Sequence, residues 1–213
     1  MKKFWDFARQ TFRGKSVYRI LFNWLVYERC WKIRGRVLDL ASGCGASYSR
    51  YLPKEATVIS GDLKTIEGET LDFDKRLPFD DGTFDSVLFF NALYITSDPL
   101  FTFKEIFRVM KKGGALYLSS PFIANEMPEP HDYLRFTREG LQRELEKVGF
   151  QEIRINRFGE RFSSAAYLLH ALLVFNLVRF IVNGFSLFLD KLIPKKIRKI
   201  HPTPLGYFAI CKK

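Results

Sequence analysis

At 213 residues, 47% of them hydrophobic, the chain can bury one well-filled α/β core and not two, so a single domain with appendages is expected. Its three cysteines, Cys30, Cys44 and Cys211, are far apart and odd in number, which excludes a disulfide scaffold and a zinc site of paired ligands; no metal is expected, and a reducing, cytoplasmic compartment fits. The net charge of +11 is uneven: residues 1–36 hold ten Lys and Arg against two acids, residues 155–213 the same, and the stretch between them fourteen against nineteen. A nucleic-acid enzyme gathers cations around its cleft, and here the centre is the acidic part, so no nucleic-acid partner is expected.

Residues 4–31 read as helix, with Phe4, Trp5, Phe7, Phe12, Tyr18, Phe22, Trp24, Tyr27 and Trp31 interleaved with Arg9, Arg13, Lys15 and Arg19. Lys2 and Lys3 ahead of Phe4 and Trp5 suggest a secretory leader, but Asp6 and Arg9 interrupt its apolar stretch. Residues 1–35 are therefore assigned to an N-terminal helical segment, one that covers a cleft, docks on a sheet or lies at a membrane interface.

Residues 36–45, Arg-Val-Leu-Asp-Leu-Ala-Ser-Gly-Cys-Gly, form a short apolar strand that carries Asp39 and runs into a Gly-x-Gly turn. Gly43 and Gly45 lack the Cβ that would hold the backbone away from a ligand lying across the strand's carboxyl end. A dinucleotide fold would want a third glycine at position 48, which is Tyr, so the turn is built for something other than a diphosphate. A second strand, Thr57 to Gly61, ends at Asp62; Asp72-Phe73 and Leu77-Pro78-Phe79 follow, and Phe84 to Leu93 reads as a further strand and its turn.

Together these stretches resemble the class I S-adenosylmethionine-dependent methyltransferases of the type 11 kind, whose first motif usually reads Val-Leu-Asp-Leu-Gly-Cys-Gly-Thr-Gly; Ala41 replaces its first glycine. The resemblance implies a doubly wound, seven-stranded α/β sheet over residues 36–213, with S-adenosylmethionine as cofactor. It further implies that Gly43 and Gly45 admit the methionine end, that Asp39 orients its ammonium directly or through water, that Asp62 holds the ribose, and that Asp72 meets the adenine edge. Ala41, Leu63, Phe73 and Phe89 complete the expected cofactor contacts.

Further along, a helix from Pro99 to Met110 with a Lys111-Lys112-Gly113-Gly114 stop precedes a fifth strand, Ala115 to Ser119. Thr137 caps a helix ending near Val148, Gly149-Phe150 opens a sixth strand, and Leu205 to Cys211 is the last. In the family that last strand lies antiparallel between the fifth and sixth. The Pro-rich loop 120–136 contains His131-Asp132-Tyr133-Leu134-Arg135-Phe136-Thr137, similar to a His-Asp-Tyr-Trp-Arg-Phe-Thr signature of a bacterial and archaeal subgroup often concerned with glycans or lipids. His131 can remove a proton from an acceptor hydroxyl, or with Arg135 and Asp132 can simply hold the loop together. Tyr94 and Ile95 stand where the family often has Glu-His, and Tyr94, Tyr133 and Arg135 are the expected acceptor contacts.

About residues 160–203, between the sixth and seventh strands, lies an apolar helical insertion. Ala165 to Leu189 is mostly apolar and is followed by Lys191, Lys195, Lys196, Arg198 and Lys199. If the flanking strands pair, both ends of the insertion stay on one side, and two crossings would need about forty apolar residues. An interfacial helix or a shallow hairpin remains. Asn176, Arg179, Asn183, Ser186 and Asp190 step by three and four into one stripe of a helix whose other faces are apolar. Such a helix sinks its apolar side into the headgroup boundary while the basic cluster meets anionic lipid; the alternative is packing on the chain's own sheet or in a dimer. The expected function is methyl transfer to a lipid, a lipid-linked glycan or another membrane-associated acceptor by a peripheral protein on the cytoplasmic membrane face. A soluble small-molecule methyltransferase and a catalytically silent, membrane-bound partner protein are the alternatives.

Overall fold

The computed structural model describes residues 2–42, 46–60, 72–128 and 130–213. Its elements fall into two compact units. The larger comprises Val26–Pro121, Glu126–Asn156 and Tyr207–Lys213.

Six strands are found among the described residues: β1 (Gly35–Asp39), β2 (Ala56–Ser60), β3 (Phe84–Phe90), β4 (Met110–Pro121), β5 (Gln151–Phe158) and β6 (Gly206–Lys212), in the order β2-β1-β3-β4-β6-β5. Seven are expected; residues 61–71, between β2 and β3, lie outside the described set. β1 to β4 run parallel, with Val37 opposite Val58 on one side and Ser86 on the other, and Val87 opposite Leu116. β3 is buried along nearly its whole length, as a central strand covered on both faces must be. β6 runs antiparallel to β4: Gly113 N–H donates to the Lys213 carbonyl at 2.9 Å, while Phe122 N–H donates to Leu205 at 2.8 Å. The expected placement of the last strand between the fifth and sixth is what the sheet order gives.

The helices follow their sequence signals. Asp98 caps α3 (Pro99–Val109) by accepting from Phe101 N–H, with Pro99 in the first turn where its missing donor costs nothing. Thr137 caps α4 (Arg138–Val148), and Gly149 ends it at φ +103°, the left-handed conformation that glycine adopts without strain. One expectation fails in detail. Lys111 to Gly114 do not form a loop after α3 but open β4, because the strand takes an irregular register beside Asp85 and Lys111 pairs with that carboxylate at 2.8 Å.

The smaller unit comprises Met1–Leu25, Phe122–Asn125 and Arg157–Gly206. It holds α1 (Lys2–Phe12), the start of α2 (Val17–Arg29), α5 (Arg161–Leu168), α6 (Asn176–Leu192) and α7 (Lys195–Ile200). The N-terminal aromatic segment is thus two helices, broken at Gly14, whose φ is +75°. α1 packs on α6 through Phe180, whose ring lies 5.2 to 6.2 Å from those of Phe4, Phe7 and Phe12. Asp190 accepts from Phe162 N–H (2.9 Å) and Ser163 N–H (3.2 Å), so α6 supplies the anion that the first turn of α5 needs. Among the described residues no helix is long and apolar enough to cross a membrane.

Candidate functional site

The parallel strands of the larger unit carry their chemistry at the carboxyl ends, where an open α/β sheet receives ligands. Asp39 closes β1, in register with Ser60 of β2 and Leu88 of β3. Its carboxylate is only 2% exposed and accepts from the Tyr48 hydroxyl at 2.8 and 2.9 Å. Tyr48 is equally buried, its ring edge-to-face with Phe90 at 5.1 Å. Burial, with the Asp39 charge second, drives the nearby Cys30 thiol far above its usual range, so that cysteine is inert. A cavity of about 530 Å³ opens here, lined by Asp39, Ser42, Ala46, Ser49, Val58 and Ser60 among others. Arg50 and Lys54 also line it, so carboxylate, hydroxyl, cationic and apolar groups meet in a space whose size suits a polar cofactor.

The other expected cofactor residues divide. Ala41 is half-buried beside this cavity's wall, while Gly43, Gly45, Asp62 and Leu63 lie outside the described residues. Asp72 is partly exposed, pairs with Lys75 at 3.1 Å and accepts from Asp74 N–H. Phe73 and Phe89 are buried against each other, edge-to-face at 5.3 Å, so their side chains belong to the core rather than to the cavity wall.

The residues expected on the acceptor side come together. Tyr94 sits in the 3-10 turn Leu93–Ile95 after β3, and its carbonyl accepts from Tyr133 N–H at 2.8 Å. The Arg135 guanidinium lies over the Tyr94 ring at 5.1 Å and grips both oxygens of Asp132, with Nη2 to Oδ2 at 2.6 Å. That grip, against the opposing pull of partial burial, holds the Asp132 carboxyl below the usual range. Asp132 also accepts from Met127 N–H, so the Arg135 fork braces the loop from within. His131 is exposed and stacks on Tyr133 at 5.1 Å. Partial burial opposes ionisation of Asp74, but hydrogen bonds from Ser97 and Asp98 hold its carboxyl below the usual range.

Two residues escaped the sequence reading. Tyr48 stands out only as the absent third glycine, and nothing in the spacing says that its hydroxyl turns back to Asp39. Asn91, at the carboxyl end of β3, has φ +55° and exchanges hydrogen bonds with Ser119 of β4: its N–H donates to the Ser119 carbonyl, and its Oδ1 accepts from Ser119 Oγ at 2.9 Å. Asn directly after an apolar run is the one local signal, since Asn tolerates the left-handed region better than other side chains.

Comparison with known proteins bears on this arrangement. The family described as "Methyltransferase domain" matches residues 38–118. The ubiquinone/menaquinone biosynthesis C-methyltransferase UbiE of Desulfotalea psychrophila is 35% identical over 96 residues, 38% of this chain and 39% of the relative, so the chain spans about two fifths of that relative's length. Among solved structures, a SAM-dependent methyltransferase from Archaeoglobus fulgidus superimposes with a TM-score of 0.62 at 20% identity, over 96% of this chain and 97% of the other. Phosphoethanolamine N-methyltransferase 2 of Haemonchus contortus, in complex with phosphomonomethylethanolamine and S-adenosylhomocysteine, gives 0.58 at 16% identity over 90% and 52%. These last two speak to the fold. Residues 38–118 are thus similar to a methyltransferase domain, and the chain as a whole shares the fold of the SAM-dependent methyltransferase from Archaeoglobus fulgidus.

Proposed function

We propose that the protein transfers a methyl group from S-adenosylmethionine to a lipid, a lipid-linked glycan or another acceptor held at a membrane. The transfer rests above all on Asp39, a buried carboxylate at the carboxyl end of β1 that faces a serine-lined cavity inside the matched domain. In this reading Asp39 takes the cofactor's ammonium, Gly43 and Gly45 let the methionine end approach, and Asp62 and Asp72 hold the ribose and the adenine edge. The bound cofactor supplies an electrophilic methyl on a sulfonium, which is displaced in line, so the residues have to position the partners in a dry cleft rather than attack covalently.

On the acceptor side, His131 removes the proton from an acceptor hydroxyl while Tyr133 supports the imidazole by stacking. Arg135 acts through the Asp132 brace and the Tyr94 ring, which fix the loop that presents His131. Two observations favour a membrane-borne acceptor. The helical unit exposes large apolar side chains that no water-facing helix needs, and the relative from Desulfotalea psychrophila is named for C-methylation in ubiquinone and menaquinone biosynthesis.

Calorimetry and transfer of labelled methyl test the two halves separately. Wild-type protein should bind S-adenosylmethionine, and Asp62→Ala should weaken that binding by about 1.5 to 3 kcal/mol, the range for hydrogen bonds to a charged group. Label should then appear in extracted membrane lipid. Binding without transfer to lipid but with transfer to soluble extract would remove the membrane acceptor, and no cofactor binding at all would remove the activity.

A further inference from the structure

α6 is built inside out. Its polar stripe faces the protein: Asn183, Ser186 and Asp190 are buried, and Asp190 is fixed by the first turn of α5. At 100° per residue, Leu177, Ile181, Phe185, Phe188 and Leu192 fall with Val178 in an arc of about 100° centred opposite that stripe, and each of the six is between 44% and 63% exposed. The surface continues in both directions. The turn before α6 presents Leu172, Val174 and Phe175, each 74% exposed, and across the Phe180 contact α1 presents Phe4, Trp5 and Phe12. A helix in water would be turned the other way round, and continuous apolar patches of this kind mark a surface that meets something other than water.

Charge identifies the occupant. The smaller unit holds fourteen Lys and Arg against three acids, whereas the larger holds twenty against twenty, so the whole net charge of +11 sits in the unit that bears the apolar face. Lys191, Lys195, Lys196 and Lys199 are exposed at the end of α6 and on α7. Two copies meeting face to face would bring like charges together, whereas an anionic surface draws the same charges in. Since no described helix can span, the fitting geometry is one that lies in the interface plane.

Building on the membrane half of the reading above, we propose that α6, with α1 and the 172–175 turn, is an interfacial membrane-docking surface that seats its apolar arc at the acyl boundary of a bilayer containing anionic lipid. Here α6 lies flat with its polar stripe toward its own protein, and α7 supplies the electrostatic contact.

The test is co-sedimentation of the full chain with phosphatidylcholine vesicles, with and without added phosphatidylglycerol, alongside light scattering of the lipid-free protein. Wild type should sediment with the anionic vesicles, leave them as salt rises, and bind neutral ones about a hundredfold less well or worse. The doubly substituted Phe185→Glu, Phe188→Glu protein changes only exposed positions; it should keep its thermal transition and its cofactor affinity and lose vesicle binding. Lys195, Lys196 and Lys199 changed to Gln should lose the anionic preference while keeping the fold. Protein that ignores anionic vesicles overturns the proposal, whether it is monomeric or a dimer that Phe185→Glu dissociates. Cofactor binding measured without vesicles separates these outcomes from a failure of the methyltransferase reading.

Discussion

The Tyr48 hydroxyl donates to Asp39, lying 2.8 and 2.9 Å from its two carboxylate oxygens, and both residues are buried. A phenol beside a buried carboxylate both solvates the charge and fixes the plane in which the oxygens point. Tyr48→Phe should therefore weaken S-adenosylhomocysteine binding about tenfold, in line with a hydrogen bond to a charged group. Binding of methylthioadenosine, which lacks the amino acid end, should hardly change. Equal losses for both ligands in calorimetry would mean that Tyr48 only supports the fold.

His131 and Arg135 should separate cleanly. His131→Ala removes the proposed base and should lower turnover by about a hundredfold or more while cofactor affinity and thermal stability hold. Arg135→Lys loses the two-pronged grip on Asp132 and should loosen the 127–135 loop, detected as faster amide exchange there, with a smaller fall in turnover. If His131→Ala keeps full activity, the imidazole is only a stacking partner for Tyr133.

Acid should destabilise the larger unit through two tied carboxylates. Hydrogen bonds from Arg108 are the main reason the Glu105 carboxyl is held below its usual range, and Arg135 does the same for Asp132. A carboxylate depressed in the folded state stabilises that state above its unfolded value, about 4, and the contribution is lost as pH falls through the folded value. Thermal transitions should therefore drop below about pH 4. Arg108 also donates to the Leu77 and Phe79 carbonyls and pairs with Asp81 at 2.7 Å, so Arg108→Ala should lower stability and flatten the acid dependence.

Asp190 offers a test in the helical unit. Glu160 caps α5, and Asp190 adds hydrogen bonds from Phe162 and Ser163 N–H, so Asp190→Ala should cost about 1 to 2 kcal/mol in urea denaturation. Ser186→Ala, whose hydroxyl only returns to the Asn183 carbonyl within α6, should cost less than that.

Much of the sheet was legible because strands buried on both faces read as apolar runs, and the caps at Asp98, Thr137 and Gly149 use residues chosen for local reasons. Asp39 was legible as a lone acid in such a run. Tyr48 was not, because its hydroxyl meets Asp39, nine residues earlier, only once the chain is folded. The break at Gly14 was hidden inside an unbroken aromatic pattern. The stripe on α6 could be counted from the sequence, but which way it faced depended on Asp190 meeting α5, a contact no periodicity contains. Motif position placed Phe73 and Phe89 near the cofactor, but it did not reveal that the two rings pack edge-to-face.

The order of the strands has a consequence for biosynthesis. β6 fills the gap between β4 and β5, yet the ribosome makes it only after about fifty residues of insertion have followed β5. Until β6 emerges, the nascent sheet has two unpaired edges facing each other, and α5, α6 and α7 have already left the exit tunnel with their apolar arc uncovered. The apolar face of α6 thus leaves the ribosome before the sheet is closed, so a newly made chain would be vulnerable to aggregation at that stage.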